Sequence, residues 1–297
     1  MCEGDLPPSA PTLTTELAGR RDVTAATFVL DVTPPDDPDG DLLAATDYEV
    51  WTANADGTPR ERVWWTTLVS THPPPVSLPM GSFEGPAAIL GGLEPWRDHL
   101  VRVRQTTRSV SGCDQAGPWS ELVGFRTDDG STALFDESIV RDVEVTLSAA
   151  SYAGINAQAE PPGCVPYTRD YYTGDVSYAG VSYTGVGVKV KGGCGSARDL
   201  SEKAAFKIGL DWDDPAVPGC PDSRRINGLS ALTLNNMVQD RSLSHERLAY
   251  ALFRRLGVPA PRTAPVRVFV NGTLYGHYLH VETVDRRFLD RHFASNQ

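Results

Sequence analysis

Residues 240–281 read DRSLSHERLAYALFRRLGVPAPRTAPVRVFVNGTLYGHYLHV. This stretch contains a helix, a stop and a hairpin, in that order. Asp240, Ser242 and Ser244 are all candidate caps, because their oxygens can accept the unpaired amide hydrogens of a first helical turn. Leu248, Ala249, Leu252, Phe253 and Leu256 recur at helical spacing and predict one apolar face turned toward a core. Arg254 and Arg255 suit the negative end of the helix dipole. Gly257 provides a left-handed stop and Pro259 forbids continuation. Residues 266–270 and 275–281 then read as strands joined by Asn271-Gly272, whose tolerance of positive φ makes it the strongest short hairpin signal. His277 and His280 fall on opposite faces of the return strand, so they do not form a metal pair. Asn271-Gly272-Thr273 also fits a glycosylation pattern, but the turn explains it better. A second helix is expected near Asp285, carrying Phe288 and Leu289 inward.

Before this stretch the pattern is β. Residues 143–147 and 186–191 read as strands, the latter with valines on one face and Lys189 and Lys191 on the other. Gly192-Gly193-Cys194-Gly195 is a flexible turn. Residues 203–210 form a third strand, with Ala204, Phe206, Ile208 and Leu210 on one face and Lys203, Ala205 and Lys207 on the other. Asp128 to Ser131 is a short polar linker. Upstream of it, residues 27–32, 48–52, 62–69, 100–105 and 122–125 are short, partly alternating strands. Proline clusters at residues 34–38 and 73–75 punctuate them and disfavour helix. This spacing predicts a sandwich of about seven strands.

The whole chain has 297 residues, a formal charge of -11, 27 glycines and 23 prolines. That length suggests about two domains. The acidic balance and the lack of a basic run argue against nucleic acid as a partner. No apolar stretch approaches the ~20 residues that span a bilayer. The cysteines are Cys2, Cys113, Cys164, Cys194 and Cys220, with no CxxC pair, so zinc and thioredoxin chemistry are disfavoured. Three of them in the second half permit one disulfide, which would suit an oxidising compartment. Cys2, followed by a polar, proline-rich stretch, would suit a lipid-anchored protein or a plain tail cysteine. Trp51, Trp64 and Trp65 are candidates for a sugar or protein platform, though Trp64 and Trp65 must point to opposite faces. The acidic residues 36–41 read as a solvated turn rather than a calcium loop, and Asp211, Asp213 and Asp214 as a surface loop rather than metal ligands. No Gly-x-Ser-x-Gly nucleophile motif occurs.

Two resemblances sharpen this reading. Leu93, Pro95, Arg97, Val101, Val103 and Gly117-Pro118-Trp119-Ser120-Glu121 resemble the fibronectin type III family, although His99 stands where that family has its corner tyrosine. Further on, residues 188–196 and Lys203-Ala204-Ala205-Phe206-Lys207-Ile208 resemble CotH (spore-coat) atypical protein kinase domains. So do Leu234-Asn235-Asn236, residues 246–250, 256–262 and 270–282, and Phe288-Leu289. The two together imply an all-β fibronectin type III-like sandwich at residues 11–127, after a tail or tether at 1–10. An α+β domain resembling the small lobe of an atypical kinase would follow at 132–297. The CotH resemblance implies ATP and magnesium as cofactors, and a Ser-rich surface or coat protein as the phosphate acceptor. It also implies a bacterial extracellular or cell-envelope location. Phosphoryl transfer needs positive charge beside the phosphates. Lys203 or Lys207 is the expected phosphate contact, Glu246 its partner on the helix, and Glu282 the residue meeting the nucleotide or capping the next helix. Catalytic aspartates belong to a second lobe of such domains and have no counterpart here, so a fragment without phosphotransfer is expected. The alternative is a non-catalytic adhesion or assembly protein in which the sandwich is a spacer or binds a surface protein or glycan.

Overall fold

The computed structural model describes residues 5–24, 29–73, 75–158, 167–212 and 224–293. Cys2, Cys164, Cys220, Asp213 and Asp214 lie outside these residues, as does part of the strand expected at 27–32. The chain divides into two compact units, Met1–Gly130 and Ser131–Gln297.

The first unit contains β1 (Val29–Leu30), β2 (Leu42–Ala53), β3 (Pro59–Val69), β4 (Val76–Ser77), β5 (Ser82–Phe83), a short helix α1 (Gly85–Leu90), β6 (Asp98–Arg108), β7 (Asp114–Ala116) and β8 (Val123–Arg126). Six strands form one sheet in the order β5-β3-β2-β6-β7, with β8 also on β6, while β1 and β4 form a second, two-stranded sheet. Leu30 and Val76 of the small sheet share one core with Tyr48, Val50, Trp64, Val101 and Val103 of the large one. Alternation along β2 puts Tyr48 and Val50 into that core and Glu49 and Trp51 on the other face. Trp64 is fully buried, its indole donating to the Leu78 carbonyl at 2.9 Å, so the three tryptophans do not form one exposed platform. His99 is buried, hydrogen-bonds the Arg97 carbonyl through Nδ1 at 2.9 Å and stacks on Phe125. In the 36–41 turn, Asp37 and Asp39 are occupied by hydrogen-bond donors. Asp37 accepts the amides of Asp39 and Asp41 and the Thr107 hydroxyl, and Asp39 accepts the Leu6 amide. Among the described residues no cluster of acidic, histidine or cysteine side chains could hold a metal.

The second unit contains β9 (Arg141–Leu147), α2 (Ala149–Asn156), β10 (Tyr172–Tyr178), β11 (Val181–Lys191), β12 (Ala205–Gly209), β13 (Ala231–Asn235), α3 (His245–Arg255), β14 (Thr263–Val270), β15 (Thr273–Val281) and α4 (Arg286–His292). Seven strands close into a barrel in the order β10-β11-β12-β13-β15-β14-β9. All pairs are antiparallel except β14–β9. That parallel pair closes the barrel, and its register sets Val268 beside Val143. Val188, Val190, Phe206, Ile208, Leu232, Leu234, Val266 and Tyr278 fill the interior. Closure pairs the strand edges that an open sheet would leave free.

The helix expected at the centre of the sequence is present, but its orientation is inverted. Leu248, Leu252, Phe253 and Leu256 are 62%, 55%, 45% and 68% exposed. The side facing the barrel carries Glu246, Arg247, Tyr250 and Arg254. Arg247 and Arg254 both reach Glu137, at 2.7 and 3.2 Å, and Tyr250 packs with Met237, Leu279 and Val281. The barrel surface beneath α3 presents Glu137 and Asn235, so the arginines and the glutamate find charge-assisted partners only on that side. Those pairs override the apolar periodicity. At α4 the expectation holds in part: Asp285 caps it by accepting from the Arg287 and Phe288 amides, and Phe288 is buried while Leu289 is not.

Candidate functional site

The outer face of β11, β12 and β13 carries a polar row. Register places Lys191 opposite Ala205, and the Phe206–Leu234 pairing sets Asn235 on the far side of Ala205. Each of these three residues closes or opens its strand, so all lie at one end of the barrel. Alanine between them leaves room for Lys191 to reach across. Its Nζ donates to Asn235 Oδ1. Asn235 Nδ2 donates in turn to both carboxylate oxygens of Glu246, in the first turn of α3, at 2.7 and 2.9 Å. Burial holds the Lys191 ammonium below the usual lysine range. Glu246 opposes that shift and Lys207 adds to it. Lysine and glutamate thus face one another through one amide, without a direct ion pair.

Above this row runs the Gly192–Ser196 turn. Gly192, Cys194 and Gly195 all have positive φ, and a Cβ on Gly192 would press on Ser196 and the Ala197 amide at 3.1–3.2 Å. Cys194 is disulfide-bonded. Side chains hold the turn from several directions. Asn236 donates to the Ser196 and Lys203 carbonyls, Gln239 to the Cys194 carbonyl and Arg169 to the Gly192 carbonyl. The turn, Lys191, Asn235 and Glu246 enclose a cavity of about 300 Å³. Asp240 also lines it, but its two oxygens are saturated by the amides of Ser242, Ser244 and His245 and the Ser242 hydroxyl. Asp240 therefore shapes the start of α3 and offers no free carboxylate.

Of the four site residues expected from the sequence, one reaches this cavity. Glu246 lines it. Lys207 lies one row away on the same face, opposite Lys189 and Thr233. Burial and Lys189 hold its amine below the usual range, with Asp285 acting against them. Lys203 lies elsewhere. Its Nζ is 5.0 Å from the centre of the Tyr278 ring, beside a groove lined by Tyr152, Leu200 and Tyr275. Glu282 is not available to a nucleotide. It is 4% exposed and bound by the Arg262 guanidinium at 2.7 Å, by the Arg262 amide at 3.1 Å and by Arg291. Burial pushes its carboxyl up, but the two arginines outweigh that and hold it below the usual range. The sequence did not single out Lys191 and Asn235 for the site. Their signals were a lysine ending a strand just before a glycine turn, and the asparagine of the Leu-Asn-Asn segment.

Chemically, a desolvated ammonium beside a turn of constrained glycines can hold an anion such as a phosphate group. The cavity is at the lower end of the ~300–1,000 Å³ of ligand pockets, so it suits the charged end of a larger molecule.

A model of the CotH kinase protein family matches residues 188–297. An inner spore coat protein H-like protein of Bacillus subtilis (strain 168) is 34% identical over 85 residues, covering 29% of this chain and 24% of that protein. The chain thus matches about a quarter of that relative's length. Among solved structures, the twitchin kinase region of C. elegans aligns with 93% of this chain and 39% of its own at 12% identity, with a TM-score of 0.22. A score that low carries no argument about the fold.

Proposed function

Over residues 188–297 the chain belongs to the CotH family, and on that premise we propose that the second unit is the nucleotide-phosphate-binding part of a CotH-type atypical protein kinase. The whole protein would transfer phosphate from ATP to Ser-rich surface or coat proteins. The supporting observation is the convergence of Lys191 and Glu246, through Asn235, under the Gly192–Ser196 turn. In phosphoryl transfer a lysine near a helical glutamate supplies charge beside the phosphates, and backbone amides of a glycine turn supply hydrogen bonds. Lys191 takes the role first expected of Lys203 or Lys207, with Lys207 a second cation one row away. ATP would supply the phosphoryl group. Magnesium is implied by the family; the described residues bring together no cluster of acidic, histidine or cysteine side chains that would hold it.

The first unit would be a fibronectin type III-like spacer, with a surface protein or glycan as its possible ligand. The setting would be the coat or cell envelope, with Cys2 as a candidate lipid anchor. Binding of a fluorescent ATP analogue tests the site: saturable binding is expected, lost in Lys191→Met and kept in Lys203→Met. Binding that follows Lys203 instead overturns the assignment. Incubation with labelled ATP, magnesium and a Ser-rich acceptor is expected to give no transfer by this chain alone; robust transfer would mean the reacting groups lie within it. The alternative reading, an assembly protein, is favoured by the exposed apolar side of α3.

A further inference from the structure

The inverted α3 leaves Leu248, Leu252 and Leu256 in one exposed row, with Phe253 beside them. Contiguous apolar surface of this kind marks a docking site more often than chance exposure. Its rim is basic. Arg241 and Arg255 are exposed at the two ends of the helix and form no ion pair among the described residues, while His245 is already beside Asp240 at 3.3 Å. Two α3 helices packed on each other would oppose like charges, which disfavours a symmetric pairing through this face.

The first unit carries a surface of the opposite character. A groove of about 530 Å³ lies at the end of the large sheet, bordered by Leu42, Val69 and Val110, which are 70%, 86% and 108% exposed. Asp39 and Asp41 also line it. Asp41 Oδ2 is shut from solvent and has no hydrogen-bond partner. The one cation at the groove, Arg108, is already paired with both oxygens of Asp114, at 2.5 and 2.8 Å. The groove is therefore apolar with a net acidic rim, and α3 is apolar with a basic rim.

We propose that α3 of one chain docks into the Leu42–Val69–Val110 groove of a second copy of this chain, with an arginine at one of its ends meeting the acidic turn that carries Asp39 and Asp41. The two surfaces differ, so the contact is head-to-tail, and a docked pair keeps one free groove on one copy and one free helix on the other. Such contacts build rings or open filaments rather than a closed twofold dimer. The proposal does not depend on nucleotide binding.

Sedimentation of the full chain over a concentration series reaching on the order of 0.1 mM, a range suited to a small interface, tests this. The weight-average mass is expected to rise past two chains. Leu252→Glu and Val69→Asp are both at exposed positions and are each expected to stay monomeric alone. Mixed one to one they are expected to form a dimer and stop there, since each supplies the surface the other lost. Ile89→Glu, at an exposed position on α1, serves as the control and is expected to associate like the parent chain. A monomeric parent chain at all concentrations overturns the proposal. So does Val69→Asp that still associates, a mixture that stays monomeric, or an Ile89→Glu chain that no longer associates.

Discussion

Glu246 and Glu282 were both candidates for the nucleotide site in the sequence, one at the start of a helix and one at the exit of a hairpin. The structure gives them opposite circumstances. Glu282 accepts from Arg262, from the Arg262 amide and from Arg291 inside the protein. Glu246 meets only neutral donors, the Asn235 amide and the Tyr250 hydroxyl, at the edge of an open cavity, with a lysine one bond beyond the amide. A carboxylate whose lone pairs are all filled by buried cations serves the fold. One held by neutral side-chain donors, with no cation directly on it, can still respond to a ligand. Nearness to a hairpin or a helix start does not separate the two cases, whereas counting their partners does.

The sharpest way to break this contrast is to remove the charge at Glu282. Glu282→Gln leaves Arg262 and Arg291 facing a neutral group in a water-poor site, where breaking a buried pair costs about 3–5 kcal/mol. A urea melt of the full chain, with hydrogen exchange read at the β15 amides, is expected to show a loss of that order. A change under about 1 kcal/mol would put Glu282 in the same class as Glu246.

Acid distinguishes the two carboxylates next, once a neighbouring histidine is taken into account. His280 is fully buried between Phe135 and Tyr178, and burial lowers its pKa from 6.5 to about 3. The unfolded chain therefore binds a proton below pH 6.5 that the folded chain refuses. Stability then falls with acid by up to about 1.4 kcal/mol per pH unit through that window. His99 in the first unit, lowered to about 4, gives a slope of the same sign. Glu282 acts lower. Its depressed pKa stabilises the fold above the ordinary value of 4.5, and that contribution is lost as pH falls through the folded value. His280→Gln is expected to flatten the second unit's melt between pH 6.5 and 4.5, and Glu282→Gln only below 4.5. A His280→Gln chain with an unchanged slope would show that the imidazole is not buried in its neutral form.

Much of the fold was legible because its signals are local. The Asn271-Gly272 hairpin, the helix start near Asp285 and the valine alternation before Gly192 each act within a few residues, although the cap there is Asp285 and not Glu282. The barrel's closure was not legible, since the parallel β14–β9 pairing joins strands far apart in the chain with no turn between them to announce it. The direction of α3 was misread for a related reason. Periodicity found its apolar face, but which face turns inward was decided by Glu137, a residue of the distant segment before β9 that binds Arg247 and Arg254. Of the residues lining the candidate cavity, the sequence had named Glu246 and not Lys191. The choice between Lys191, Lys203 and Lys207 depends on strand register, and on Ala205 leaving a gap that only Lys191 spans.

The smallest expected effect concerns Glu246 itself. Gln in its place keeps an acceptor for the Asn235 amide and strands no buried arginine, so stability is expected to move by less than about 1 kcal/mol, as for other partly exposed polar substitutions. The informative change lies at Lys191. Glu246 is what opposes the burial of that ammonium, while Lys207 works with burial. Removing the carboxylate charge therefore lowers the Lys191 pKa further, and the neutral amine becomes available at lower pH. Amine-selective labelling of Lys191 against pH is expected to shift toward acid in Glu246→Gln and to stay put in Glu282→Gln. Equal shifts in both variants would mean that the two carboxylates reach the same lysine, and the contrast between a structural and a responsive glutamate would not stand.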